Sequence, residues 1–280
     1  MNEINTAFKV NKRLIKLNVK ADTFNLGNDI VMFNEDSTPA HFAKWKDDGY
    51  TISNFLDIKD INIINIGIRD IVSSFLKKYI DVTNFELKYY HKFVDNKIHK
   101  SFMDDIRAGS KGHGGIHHDL FPVPISLVED RISEICGCKV TCRKTSSGYD
   151  VSNFCIRIVR PLSLDNNPPH RDVHLDRNRG AVNLYFPIAG SDDNSSLPLI
   201  PKSHLWPESE IVRTFGKTFV NDIEFTNPAT VSSVNGLEMI TPNPSPEEVL
   251  VFSPYMLHGG GVNSNTNTTR VSLEIRFWLK

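Results

Sequence analysis

The sequence of 280 residues predicts a mainly β fold, a sandwich or barrel braced on one face by helices from its N-terminal part. Three observations predict it. Apolar residues recur at helical spacing between about 55 and 107; beyond about 135 the chain breaks into short β-branched and aromatic runs; and turn-forming clusters separate those runs. No internal repeat, low-complexity tract or Pro/Gly/Ser linker divides the chain. It is read as one domain over 1–280, helix-rich over about 1–135 and β-rich over about 136–280.

The elements follow in order. "MNEINTAFKVNKRLIKLNVK" lacks the continuous apolar stretch of a signal peptide, and nowhere do 18 apolar residues run together, so a cytoplasmic, soluble protein is expected. Ile64, Ile68, Ile71 and Phe75, then Phe85, Tyr89 and Phe93, then Ile98, Phe102 and Ile106 mark two or three amphipathic helices. The helix-rich part is left two roles, covering the barrel or forming a dimer surface; the oligomeric state is unknown at this stage. Cys136, Cys138, Cys142 and Cys155 lack the paired C-x2-C knuckles of a zinc site and are expected as reduced, mostly buried thiols on strands. "NFCIRIVR", "VNLYFPI", "VLVF" and "RVSLEIRFWL" read as strands, and "DNNPP", "GSDDNSS" and "TPNPSP" as the turns between them.

Charge excludes some partners. Lysine plus arginine (32) nearly balances aspartate plus glutamate (33), so no global field favours nucleic acid or an anionic membrane, and a small-molecule partner is expected.

The candidate chemistry lies with the ten histidines. "PPHRDVHLD" holds two overlapping His-x-Asp pairs, His170/Asp172 and His174/Asp176, and period-2 alternation would turn each pair to one side of a strand. "GGIHHDLFP" holds a third, His117/Asp119, expected on a loop at the mouth of a pocket. The glycines of "GSKGHGG" would suit a phosphate but lack the strand–loop–helix context of a P-loop. His258 ends the apolar run "EEVLVFSPYMLH" and precedes three glycines that permit close approach. Twelve residues later comes Arg270, which shares a strand face with Ser272, Glu274 and Arg276, while Val271, Leu273, Ile275 and Phe277 share the other. That alternation fits a polar cavity inside a barrel or a solvent-exposed edge. Two imidazoles and a carboxylate on three adjacent corners of a metal are the facial triad of non-haem Fe(II) oxygenases. An arginine nearby can hold the distal carboxylate of a dicarboxylate co-substrate in a bidentate contact.

These residues resemble the phytanoyl-CoA dioxygenase branch of the Fe(II)/2-oxoglutarate oxygenases. "HRDVHL" resembles the family's first-ligand segment, "LPLIPKSH" its Pro-Gly-Ser-His turn with Lys202 in the glycine's place, and "VLVFSPYMLHGGGVN" with "TRVSLEIRF" its distal histidine, glycine-rich exit and arginine strand. "DDGYTISNFLDIKDINIINIGIRDIV" is more loosely similar to the family's opening strand and helix. The resemblance implies a double-stranded β-helix, a jelly-roll or cupin-like barrel, with His170, Asp172 and His258 as metal ligands. It leaves His174 as a lining residue, with His174/Asp176 the less favoured pair, and gives His204 a structural role. Lysine resists the positive φ that glycine would adopt at 202. Asp172, a carboxylate, argues against the halogenating relatives.

The resemblance further implies Fe(II), with 2-oxoglutarate chelating it, Arg270 clamping the C5 carboxylate and Ser272 adding a hydroxyl. Asn183 and Tyr185 reach the co-substrate or substrate, or pack inward. O2 would take the open position, giving succinate, CO2 and, by default, hydroxylation of an unactivated C–H bond. Arg157, His174, Glu274 and Arg276 near the presumed cavity favour a small polar metabolite, a sugar or amino-acid derivative, over an acyl-CoA. A cupin-like isomerase or epimerase and a metal-free binding barrel are the other classes.

Overall fold

The C-terminal strand Arg270–Leu279 forms where the sequence alternates most regularly, and it is central to the fold. In the computed structural model, which describes residues 2–81, 85–108, 115–146, 149–150, 152–165, 167–216, 218–221, 223–260 and 262–280, it pairs antiparallel with Ala181–Ala189 on one side and Asn153–Val159 on the other. The whole sheet runs Tyr50–Asn54, Glu248–Phe252, Ala181–Ala189, Arg270–Leu279, Asn153–Val159, Ile116–His117, with Val140–Thr141 also on the C-terminal strand. A central strand cannot face solvent along an edge. The two faces of Arg270–Leu279 therefore divide as an interior strand requires: Val271, Leu273, Ile275 and Phe277 enter the main apolar core, while buried Arg270 and Ser272 turn to the opposite side.

Helices cover the apolar face. Ile58–Leu76 starts at Asp57, whose side chain accepts a hydrogen bond from the Asp60 N–H at 3.0 Å, and buries Ile61, Ile64, Ile68, Val72 and Leu76 at i, i+3, i+4 spacing. Each such fully buried side chain is worth about 2 kcal/mol of transfer free energy. Asn96–Ala108 buries Phe102 and Ile106 in the same core. Between them, the Phe85/Tyr89/Phe93 spacing does not make an α-helix. Only a short 3-10 turn forms at Leu87–Lys92, because Tyr90 rather than Tyr89 goes inside, its hydroxyl 3.0 Å from His99 Nδ1. A further helix, Ile125–Cys136, follows Pro124 and stops at Gly137, which takes the left-handed φ of +72° that such a cap favours.

The N-terminal residues depart from the helix-rich reading. Asn2–Val10 and Arg13–Ala21 form a hairpin about Asn11 and Lys12, both at positive φ. The hairpin is the middle of a second sheet ordered Ile223–Phe225, Thr218–Val220, Arg13–Ala21, Asn2–Val10, Glu238–Met239. Its apolar side, Phe8, Leu17 and Val19, packs with Ile200, Val220 and Leu257, the residue before His258. A third small sheet joins Thr230–Ser233, Ile211–Thr214 and Thr23–Phe24.

The four cysteines are free, but only Cys155 of them lies in a strand; Cys136 ends a helix and Cys138 and Cys142 flank Val140–Thr141. Burial pushes the Cys136 and Cys142 thiols up to about 12, which keeps them protonated and unreactive. Among the described residues, no helix is long and apolar enough to cross a membrane.

Candidate metal centre

His170 and His258 come from segments 88 residues apart and are locked together by their backbones. Each N–H donates to the other's carbonyl, at 2.9 and 3.0 Å, as an isolated antiparallel bridge. The Asp172 N–H donates to Pro254 O at 3.0 Å, which ties the third group to the same pair of segments. The glycines after His258 make room for this approach. A Cβ on Gly259 (φ +89°) would lie 3.0 Å from His170 Nδ1, and one on Gly260 would lie 2.9 Å from Phe8 Cζ.

The side chains converge. His170 Nε2 is 3.3 Å and His258 Nε2 3.9 Å from Asp172 Oδ1, and all three residues are buried. Their outer nitrogens are committed elsewhere: His170 Nδ1 donates to Pro168 O at 2.7 Å and His258 Nδ1 to Met256 O at 3.0 Å. A carbonyl only accepts, so both Nδ1 atoms carry the hydrogen and both Nε2 lone pairs face the carboxylate. Burial, reinforced by His170 alongside, pushes His258 down to about 4, so its imidazole is neutral at pH 7. One ligand atom from each of the three residues lies within 4.8 Å of the others, an arrangement able to hold one metal ion.

Asp172 is ionised against the cost of its burial. Burial opposes that charge, and the Arg276 guanidinium leads the interactions that hold the carboxylate well below its usual range. The contacts are specific: Oδ2 accepts from Arg276 Nη2 at 2.7 Å, Arg276 Nε at 3.2 Å and Asn183 Nδ2 at 2.9 Å. Oδ1 is left facing the histidines. Asn183 thus orients a ligand carboxylate, and Arg276, which sequence reading placed only on a cavity wall, grips the same oxygen.

Arg270 and Ser272 lie further along the same strand face. Arg270 is 1% exposed, yet its Nε and Nη1 have no hydrogen-bond partner among the described residues, and neither has Ser272 Oγ. The guanidinium lies 5.6 Å from the Tyr185 ring, and the Tyr185 hydroxyl is 3.0 Å from Ser191 Oγ. A buried cation with idle donors costs several kcal/mol unless an anion meets it, and a carboxylate fits both the fork and the adjacent hydroxyl.

His174 does not line this site. His170–His174 is not a strand: Asp172–His174 makes a 3-10 turn, so the period-2 expectation fails after Asp172. His174 points instead to a buried cluster, 3.8 Å from Glu208 Oε2, which also pairs with Arg171 and lies 3.9 Å from Arg213. Asp176 is exposed and, among the described residues, joins no ligand cluster. His204 is structural, its Nε2 donating to Lys46 O at 2.7 Å against Gly49, where a Cβ would lie 2.5 Å from His204 Nδ1. Lys202 holds the turn in the glycine conformation, φ +64°. Glu274 pairs with Arg157 at 2.9 Å rather than with Arg276. Arg276, which grips Asp172, also lines a cavity of about 290 Å³ with Arg157, Arg177, Asn178, Glu224 and Trp278, while the space that Asp172 and His258 themselves line with Asn183 and Phe252 is about 10 Å³. The 109–114 part of the glycine-rich stretch lies outside the described residues.

A mainly β fold carrying a buried His-x-Asp pair and a distant histidine defines a candidate mononuclear facial-triad centre. No family model and no curated protein matches the sequence. Among solved structures, the chain is similar to AviO1 from Streptomyces viridochromogenes Tue57, with a TM-score of 0.50 and 15% identity, covering 84% of this chain and 91% of that one. EctD from S. alaskensis, with 2-oxoglutarate and 5-hydroxyectoine, gives 0.47 and 13% over 93% and 84% of the two chains. The non-haem monooxygenase ThoJ, as its nickel complex, gives 0.43 and 12% over 86% and 77%. At these identities the likeness to AviO1 is a likeness of fold.

Proposed function

We propose that the protein is a cytoplasmic, Fe(II)- and 2-oxoglutarate-dependent oxygenase of the phytanoyl-CoA dioxygenase type, a single catalytic domain that hydroxylates a small polar metabolite. The observation that carries this reading is buried Arg270, its donors idle beside the Ser272 hydroxyl, on the strand that also supplies Arg276 to the metal-ligand carboxylate. A cupin-like isomerase has no use for such a carboxylate receptor. Fe(II) with 2-oxoglutarate and O2, when bound, supplies the oxidising power for an unactivated C–H bond.

The chain's own residues would do the rest. His170, Asp172 and His258 present three ligand atoms on one side, which leaves the other side for co-substrate and O2. Arg270 and Ser272 receive the far carboxylate, with the Tyr185 ring beside the guanidinium. Arg276 and Asn183 keep Asp172 ionised and turned. The polar lining of the cavity, three arginines among it, supports a small polar substrate over a long acyl chain.

Anaerobic titration of the apoprotein with Fe(II) and 2-oxoglutarate tests this, read by the visible metal-to-ligand charge-transfer band and by calorimetry. The wild type and His174→Ala should give the band and His170→Ala should not. Arg270→Ala should weaken 2-oxoglutarate at least tenfold, in line with loss of a charge-assisted bidentate contact. A wild type with no band and no 2-oxoglutarate heat would sink the proposal.

A further inference from the structure

Sequence reading singled out a third His-x-Asp, and its surroundings are built like a ligand site. His117 ends the edge strand Ile116–His117 of the large sheet, and His118 and Asp119 follow in a short 3-10 turn. His117 Nδ1 is 3.2 Å from Asp119 Oδ2, and His118 Nε2 is 3.2 Å from Asp119 Oδ1. The two rings lie 4.3 Å apart between centroids.

The outer nitrogens decide what the inner ones carry. His118 Nδ1 donates to Ser152 O at 2.9 Å, so His118 Nε2 is a bare lone pair, and that atom is buried without a hydrogen-bond partner. His117 Nε2 donates to Asp150 Oδ2 at 3.0 Å, and His117 Nδ1 accepts from the Asp119 N–H at 3.3 Å. His118 Nε2 is therefore a lone pair facing one Asp119 oxygen, while the His117 Nδ1 lone pair, 3.2 Å from the other oxygen, is shared with the Asp119 N–H. Two imidazole acceptors and a carboxylate converge with only the backbone Asp119 N–H as a donor among them, an arrangement that a cation between them would stabilise.

Proton or metal could supply that charge, and the geometry favours the metal. The two 3.2 Å contacts run to different oxygens of Asp119, and His118 Nε2 makes no hydrogen bond at that distance, so a proton there would not be shared with the carboxylate, whereas an ion between the groups meets the lone pair directly. A carboxylate behind one imidazole and a backbone carbonyl behind the other are the supports that metal-bound histidines use to fix tautomer and orientation. Asp150 is itself oriented, its Oδ1 accepting from the Ser152 N–H at 2.9 Å, so His117 and His118 lean on neighbouring residues of one loop.

We propose that His117, His118 and Asp119 bind a second divalent transition metal of the zinc class, with Asp150 and the Ser152 carbonyl as outer supports. His118 is buried while Asp119 is 68% exposed at its side chain, so the fourth position opens to water. The site is separate from the first. It belongs to the edge strand, whereas His170, Asp172 and His258 sit where the loops meet behind the central strands.

Calorimetric titration of the full chain with Zn(II) tests the proposal. The wild type should take two equivalents and His170→Ala/His258→Ala one. In that background Asp119→Asn should weaken binding at least tenfold, Asp150→Asn about 10- to 100-fold as outer supports do, and His118→Ala should abolish it. If His170→Ala/His258→Ala fails to fold, as judged by circular dichroism, the drop from two equivalents to one in His118→Ala alone reads the same site. No Zn(II) uptake by a folded His170→Ala/His258→Ala chain, or binding indifferent to Asp119→Asn, overturns it and leaves a shared proton as the cation. Neither result touches the oxygenase reading, which rests on the other triad.

Discussion

The two oxygens of Asp172 have different partners, and the difference can be tested one residue at a time. Oδ1 faces the histidines, whereas Oδ2 is held by Arg276 and Asn183. Replacing Arg276 with methionine removes the charge that offsets burial, so the carboxyl pKa rises and protons compete with metal at a higher pH. The expected result is a 10- to 100-fold loss of Co(II) or Fe(II) affinity, with the half-loss point on a pH titration moved upward; Arg270→Ala should move neither. His174 gives a second test. Burial pushes it down to about 4, against about 6.5 for an unfolded histidine, so between those values the unfolded chain binds the extra proton and stability falls as pH falls. The full contribution is present above pH 6.5, and roughly 3 kcal/mol is lost by pH 4. Urea denaturation of His174→Asn should show a correspondingly smaller loss over that range. The convergence of His170, Asp172 and His258 was expected only from the resemblance, since spacing alone left two overlapping His-x-Asp pairs open. Arg276's grip on Asp172 was not legible in the sequence, since it depends on how two distant segments meet, and His174 was misplaced because a single 3-10 turn replaced an assumed strand.

Elements were legible where periodicity was long and failed where a turn decided the outcome. Ile58–Leu76 and Arg270–Leu279 run for 19 and 10 residues, enough for a period of 3.6 or 2 to declare itself. The hairpin at the N-terminus also carries a signal, Ile15, Leu17, Val19 and Ala21 in alternation after a two-residue Asn-Lys turn, but lysine in place of the usual glycine hides the turn. Lys202 poses the same conflict. Its turn is fixed from both ends, the Lys202 N–H donating to Asp48 O at 3.1 Å and the Ser203 hydroxyl to Ile200 O at 2.7 Å, so the left-handed backbone is imposed on a residue that resists it. Relieving the side-chain clash outweighs the extra flexibility glycine gives the unfolded chain. Lys202→Gly should therefore stabilise the protein by about 0.5–1 kcal/mol, seen as a raised urea midpoint with unchanged slope and unchanged metal affinity. A lowered midpoint would mean that the lysine stem packs usefully where it lies.

The described residues hold three apolar clusters, and the candidate metal centre leans on them unequally: the smallest, Tyr185, Leu197, Leu199, Leu250, Phe252 and Met256, lies on the ligand side, with the Phe252 ring 5.0 Å from that of His258. The largest joins the helices to one face of the main sheet, so its residues support the strands from behind, on the side away from the ligands. The second joins the N-terminal hairpin to Leu257, and Phe8 reaches the glycine exit directly, since a Cβ on Gly260 would stand 2.9 Å from its ring. That contact, with the Gly260 N–H donating to Asn167 O at 2.7 Å and the Thr230 N–H to Pro169 O at 2.6 Å, clamps the chain just before His170 and just after His258. Comparing two truncations separates support from proximity. Phe8→Ala and Ile64→Ala each empty a fully buried site and should cost about 3–4 kcal/mol of stability. Only Phe8→Ala frees the segments that carry the two histidines, so it should weaken metal binding about tenfold at a temperature where both variants are folded, while Ile64→Ala changes it less than twofold. Equal effects on the metal would place the control of ligand geometry in global stability; the unequal effect expected here places it in the hairpin, the element that sequence periodicity left unassigned.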